Sequence, residues 1–153
     1  MLYVGKISPH KAPHDLVSML SAYREIYSPG ATLTIVGSPI GERYVEALHS
    51  YVAELGLVDA VRFAGSLSSA ELESHWQSAD VFVTASDHEG FCVPLVEAMG
   101  HGVPVVAFAA AAVPETVADA GLLLSSKKPI PFAAAVHRVV EDATRHRCPS
   151  AIP

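Results

Sequence analysis

The sequence predicts an α/β domain built on a doubly wound parallel sheet, and three observations carry that prediction. Short apolar, β-branched runs alternate with helix-period segments from Leu2 to about Asp142. Strands that alternate with helices require crossover connections, and these make the sheet parallel. Polar, mostly glycine-bearing segments recur just after the apolar runs, at Lys6, Gly37, Ser66, Glu89 and 109–115, where open sheets of this class bind their ligands. At 153 residues, half of them hydrophobic, the chain is one domain by size and large enough for a proper core.

Each element has its own signal. Leu2–Val4 reads as the first strand, and Leu16, Val17, Leu20 and Tyr23 repeat at helical spacing within a helix over 14–27. Pro29-Gly30 is a turn into the β-branched strand 32–36, which ends at Gly37. A helix over 42–55 stops at Gly56, and residues 61–64 form the third strand. Ser68 and Glu71 have capping-box spacing and open a helix to Ser78. Residues 81–85 form the fourth strand, 94–99 a short helix and 105–108 the fifth strand. A short helix starts near Pro114, 121–124 is a final strand, and a helix over 131–142 buries Phe132, Val136 and Val139. The domain spans residues 1–144, and residues 145–153 lose the pattern and read as a loose tail.

Composition narrows the function. A formal charge of −6 argues against a general nucleic-acid binder, which carries a basic face. No apolar run reaches bilayer-spanning length, and no signal peptide is visible after Met1, so a cytoplasmic setting is expected. Cys92 and Cys148 have neither disulfide-framework nor metal-site spacing. His10 and His14 stand at i, i+4 but lack a third ligand, so no metal site is assigned. Cys92 reads as a small residue in a tight loop rather than a nucleophile, and Trp76 as a packing residue.

Glu89 and Glu97 are the most informative pair. Glu89 lies in a glycine-containing loop after the fourth strand, and Glu97 about one turn into the next helix. A strand, a short loop and a helix N-terminus make a ready anion site, because free N–H groups and the helix dipole point at the ligand. Carboxylates beside that site would repel phosphate and suit sugar hydroxyls instead. Together these features point to a phosphorylated sugar or a nucleotide.

The segment Glu89-Gly90-Phe91-Cys92-Val93-Pro94-Leu95-Val96-Glu97 resembles the Glu-x7-Glu signature of retaining glycosyltransferases with the GT-B fold (glycosyl transferases group 1, family 4). The resemblance runs from Val4-Gly5-Lys6 to about Asp142. It implies a Rossmann-like domain equivalent to the C-terminal, donor-binding half of a GT-B enzyme. It also implies that Glu89 contacts the donor sugar and Glu97 the ribose. Lys6 and Lys11 stand where the family carries an Arg and a Lys that clamp the diphosphate; with Glu89 they form the expected catalytic set. Lys6 in place of Arg supplies charge without the planar fork. Ala12 stands where a Gly usually follows the second basic residue.

The resemblance further places Gly5 and Gly37 beside the nucleotide, with a purely structural turn role for Gly37 equally open. Backbone groups near Ser66 and Leu67 would line the base pocket. Backbone N–H groups of Gly90, Phe91, Cys92 and Val93 would meet the diphosphate, with Pro94 as the first helical residue. His88 is a candidate sugar contact.

The implied activity is hexosyl transfer from a UDP- or GDP-linked sugar, with no cofactor and no metal. The partners implied are the nucleotide-sugar donor and a missing acceptor-binding domain or partner subunit, without which weak donor binding and little transfer are expected. The face left by that domain is a candidate homodimer surface. The main alternative is a non-catalytic nucleotide-sugar-binding module acting through a partner chain. A dehydrogenase-type dinucleotide binder is disfavoured because no Gly-x-Gly-x-x-Gly follows the first strand. A receiver-like domain is disfavoured because Asp15 and Asp80 are misplaced for an acidic cluster at strand ends.

Overall fold

A computed structural model describes residues 1–117 and 121–147. Six strands form one parallel sheet: β1 (Leu2–Val4), β2 (Leu33–Val36), β3 (Val61–Gly65), β4 (Phe82–Thr84), β5 (Val105–Phe108) and β6 (Gly121–Leu124). Their spatial order is β3-β2-β1-β4-β5-β6, and every pairing is parallel. Six helices alternate with them: α1 (Pro13–Ile26), α2 (Glu42–Glu54), α3 (Ser69–Ser78), α4 (Val93–Gly100), α5 (Val113–Val117) and α6 (Pro129–Arg147).

The strands read as unbroken apolar runs because both faces of the sheet are covered. Alternate residues enter different cores. Tyr3, Ile35, Val83 and Val106 join the core under α1, α2 and α6 with Leu16, Leu20, Leu48, Phe132 and Val136. Leu2, Val36, Phe82, Val105 and Ala107 join the opposite core with Trp76, Leu95, Val113 and Val117. Trp76 is 2% exposed and packs on Phe82 with ring centroids 5.5 Å apart, so it is a packing residue as expected.

The strand order positions the site. From β1 the chain winds outward through β2 and β3, then returns to β4 on the other side of β1. The order therefore reverses between β1 and β4, and the crevice outside their carboxyl ends is the topological switch point of the sheet. The loops that leave those two ends carry Lys6, Lys11 and Glu89.

Most element boundaries shift by one or two residues from the sequence expectation, and two of the differences are instructive. Helix α4 begins at Val93, so Pro94 is not its first residue. Cys92 precedes it with a left-handed φ of 52°, which turns the chain into the helix one position early. Helix α6 extends to Arg147, past the expected tail boundary at 145. No proline or glycine interrupts Ala143-Thr144-Arg145-His146-Arg147, and the first breaker is Pro149. The rest of the expected tail, 148–153, lies outside the described residues. A short 3₁₀ turn, Pro9–Lys11, also lies between β1 and α1 where no element was expected. The capping box at α3 is present as predicted, with Ser68 N–H donating to Glu71 at 2.8 Å and Glu71 N–H to Ser68 Oγ at 3.4 Å.

Candidate functional site

The loop after β1 is shaped by strain and by a buried hydroxyl. Tyr3 is 2% exposed, and its phenol donates to the carbonyl of Lys6 at 3.0 Å. A Cβ at Gly5 would lie 2.7 Å from that phenol oxygen, so the close crossing of ring and loop requires glycine. Burial pushes the Tyr3 phenol well above its usual range, with the nearby Glu89 charge adding to the effect. Tyr3 therefore acts as a neutral donor at any ordinary pH. Lys6, held by this loop, projects as an exposed cation at the strand end.

After the Pro9–Lys11 turn, Ala12 adopts φ 50° and leads directly into α1. Left-handed backbone at a residue with a Cβ costs about 1–2 kcal/mol. A glycine would carry no such cost at this position. The turn brings Lys11 back toward the loop after β4. Lys11 Nζ stands 2.7 Å from Glu89 Oε2, with the two side chains only 20% and 9% exposed. Two residues singled out separately in the sequence thus form one largely buried ion pair at the switch point. Such a pair is costly to break from one side, because the partner is left buried and charged.

The loop after β4 is bound to the β1–α1 loop at several further points. Asp87 N–H donates to the His10 carbonyl at 2.8 Å, and Ser86 Oγ donates to His10 and His88 carbonyls at 3.3 and 3.0 Å. Ser86 is 1% exposed, so these bonds satisfy a hydroxyl that water cannot reach. Thr116 Oγ1 donates to the Phe91 carbonyl at 3.1 Å, joining the start of α4 to α5. His88 and Gly90 are exposed beside Glu89. Phe91 and Val93 are also exposed, at 65% and 56%.

Cys92 is buried, and its thiol is pushed up to about 11 by desolvation, reinforced by the Glu89 charge. A thiol held protonated in this way is a poor nucleophile, in agreement with its reading as a small loop residue. As the first donors of α4, the N–H groups of Cys92 and Val93 have no intrahelical acceptor and face the crevice end of the helix. Glu97 lies one turn further along α4 and is half-buried.

The β2 and β3 ends are built from backbone. Gly37 has φ +144°, and a Cβ there would fall 1.8 Å from the Gly5 carbonyl oxygen. Its N–H donates to the Gly65 carbonyl at 2.8 Å, while Gly5 N–H donates to Val36 at 2.9 Å. The turn role of Gly37 is therefore demonstrated by packing alone. Ser66 is exposed, and Leu67 is partly buried against the core that holds Trp76.

Lys127 at the site escaped the sequence reading, as did its grouping with Asp87 and Asp15. Lys127, between β6 and α6, lies 2.6 Å from Asp87 Oδ1 and 2.9 Å from Asp15 Oδ2. Its ammonium also sits 5.1 Å from the centroid of Phe108. The partners are far apart in sequence, forty residues for Lys127 and Asp87, so no local motif signals them. The two histidines weighed as a metal pair turn to separate partners, His10 to Ser8 at 3.3 Å and His14 to Tyr44 at 2.8 Å.

The family profile described as Glycosyl transferases group 1 matches residues 1–152. The chain belongs to that family. It is 35% identical over 150 residues to D-inositol 3-phosphate glycosyltransferase from Stackebrandtia nassauensis, which covers 94% of this chain and 34% of that protein. The chain thus spans about a third of the length of the curated relatives it matches.

Among solved structures, Anabaena HepE in complex with UDP superposes with a TM-score of 0.83 at 28% identity, over 94% of this chain and 39% of HepE. The C-terminal domain of a group 1 glycosyltransferase from Francisella tularensis, LpcC, superposes at 0.73 with 23% identity over 95% of this chain and 84% of that domain. The latter likeness establishes fold alone. The fold is that of a GT-B glycosyltransferase C-terminal domain. Among the described residues no helix is long and apolar enough to cross a membrane.

Proposed function

We propose that this chain is the donor-binding half of a retaining hexosyltransferase that takes a UDP- or GDP-linked sugar and works with an acceptor-binding domain or partner subunit. The observation that carries the reading is the buried Lys11–Glu89 pair at the switch point, beside the exposed Lys6 and the open end of α4. An ammonium has three donors. Lys11 can therefore keep Glu89 oriented while donating to a diphosphate oxygen.

In this reading Lys6, Lys11 and the N–H groups from Gly90 to Val93 receive the negative diphosphate. Glu89 accepts hydrogen bonds from hydroxyls of the donor sugar, with His88 beside it, and Glu97 accepts from the ribose. Gly5, Gly37, Ser66 and Leu67 line the nucleoside end through their backbone. During transfer the bond from the anomeric carbon to the diphosphate oxygen breaks, a bond to the acceptor oxygen forms on the same face of the sugar, and the acceptor hydroxyl's proton passes to the leaving diphosphate oxygen. Charge grows on the leaving diphosphate, and the two lysines and the helix end stabilise it there. Catalysis also needs the acceptor held against the anomeric carbon, and that role falls to the acceptor-binding part. HepE has been solved with UDP and with UDP-glucose, which makes these the first ligands to try.

A direct test is sugar transfer by this chain alone and after mixing with a candidate acceptor-domain protein. The proposal expects UDP or GDP binding by the chain alone and transfer only in the mixture. Transfer by the isolated chain would overturn the division of labour. Binding with no transfer in any enzyme-like mixture, together with a stable complex by size exclusion, would favour a regulatory module.

A further inference from the structure

Lys127 reaches the site from an element that the donor-binding set does not include. It emerges from the connection between β6 and α6, yet its ammonium lies between Asp15 in the first turn of α1 and Asp87 in the loop after β4. Lys127 is 19% exposed and Asp15 24%, so two of the three charged groups are substantially withdrawn from water. Burial alone would lower the lysine's affinity for its proton. The hydrogen bonds that Lys127 donates to Asp87 and Asp15 outweigh it and raise that affinity, so the ammonium stays charged.

The geometry around this cation is a relay of alternating charge. Asp87 is two residues before Glu89, and Asp15 is four residues after Lys11. Lys127 therefore binds the same two segments that the Lys11–Glu89 pair binds, on the other side of the crossing. The backbone bond from Asp87 to His10 closes the crossing between them. An isolated surface pair contributes little, but one ammonium shared by two carboxylates is a network, and it joins three chain segments. Without the lysine, two like charges would be left facing each other across the crossing, and their repulsion would push the loop away from α1.

We propose that Lys127 is a positioning residue that clamps the loop after β4 onto the start of α1, so that Glu89 is held against Lys11 in the orientation the donor sugar requires. This rests on the donor-site reading above. It assigns to Lys127 an effect on the sugar-dependent part of binding rather than on the nucleotide part, because Glu89 is the group displaced.

Two readouts separate the clamp from the donor reading. The first is the rate at which a maleimide labels Cys92 in the full chain carrying Cys148→Ser, since Cys92 is buried in the same loop. The second is the ratio of dissociation constants for UDP and UDP-glucose. Lys127→Ala is expected to speed labelling about five- to ten-fold, the effect of losing a small ion network that opposes local opening. It is also expected to abolish any advantage of UDP-glucose over UDP while leaving UDP affinity within about two-fold. Lys127→Arg should restore both, and Asp87→Asn added to Lys127→Ala should recover part of each by removing the repulsion.

Unchanged labelling in Lys127→Ala overturns the clamp. Faster labelling with the UDP-glucose advantage intact overturns the link to Glu89. If the wild-type chain shows no UDP binding or no UDP-glucose advantage, the donor reading is what fails, and the labelling rate alone decides the clamp. Should Lys127→Ala not fold, Asp87→Asn cuts the same tether without facing carboxylates and is read by the same labelling rate.

Discussion

The loops after β1 and β4 and the loops after β2 and β3 stand at the same end of one sheet, yet they are held by different forces. The first pair shares one backbone bond, Asp87 N–H to His10, and is otherwise joined through side chains: Lys11 to Glu89 at 2.7 Å, Ser86 to His10, and Lys127 bridging Asp87 and Asp15. The second pair is joined through backbone, with Gly37 donating to Gly65 at 2.8 Å and leaving no room for a Cβ beside Gly5. In the proposed function the charged half grips a diphosphate and a sugar by the identity of its residues. The backbone half can shape a nucleoside pocket, but its residue types carry little information about the base. Charge reversals should therefore act on the first half, and only steric changes on the second.

The largest expected effect breaks the backbone half. Gly37→Ala would set a Cβ 1.8 Å from the Gly5 oxygen at a φ of +144°, and neither backbone can yield without separating β1 from β2. The expected loss is about 3 kcal/mol or more, read as a lowered denaturation midpoint. Gly41→Ala meets nothing within 4 Å and is the control for backbone strain alone. Equal losses for the two would show that the close approach at Gly37 is not what matters.

Next comes the charged half. Glu89→Ala leaves Lys11 without its carboxylate and removes the proposed acceptor for sugar hydroxyls. Calorimetry should show UDP-glucose binding weakened about ten- to a hundred-fold, the range for charge-assisted bonds. UDP alone should bind as well or better, because Lys11 is freed for phosphate. An equal loss for both ligands would remove the sugar from Glu89's role.

Cys92 offers a pH test of burial in that same loop. Its folded value of about 11 exceeds the ordinary 9.0, so the folded chain keeps the proton longer than the unfolded chain does. The associated stability is fully present below pH 9 and is lost as pH rises toward 11, by about 2 kcal/mol at most. In a Cys148→Ser background, denaturation curves at pH 8 and pH 11 should differ more for the parent than for Cys92→Ala. Identical pH dependence would contradict the buried, protonated thiol. Smaller still, Lys6→Arg should tighten UDP about two- to three-fold through its planar fork, and unchanged affinity would mean that Lys6 serves as a point charge only. Ala12→Gly relieves the left-handed strain at φ 50° but loosens the unfolded chain, so stability should change by under about 1 kcal/mol.

The sheet was legible because both of its faces are buried, which leaves each strand as a short apolar run between helix-period segments. A motif singled out Glu89, Lys11 and Glu97 as candidates, but the pairing of Lys11 with Glu89 was not legible, since it depends on how two loops cross. Lys127 gave no signal because its partners meet it only after β6 has joined the sheet. The start of α4 was misjudged by one residue, because a proline marks a helix's first turn without fixing which position it takes. A left-handed cysteine set that position instead. The end of α6 was placed too early because loss of apolar periodicity was taken for loss of helix, although nothing before Pro149 breaks one.

The central claim is that the crevice between the β1 and β4 ends is a nucleotide-sugar donor site, and Glu97 tests it most directly. Glu97 is half-buried on α4 and takes no part in the ion pairs that hold the loops, so its loss should spare the fold. Titration of UDP into the wild-type chain and Glu97→Ala should give measurable binding in the first and at least about ten-fold weaker binding in the second, with equal denaturation midpoints. Equal UDP affinity in the two chains would contradict the account.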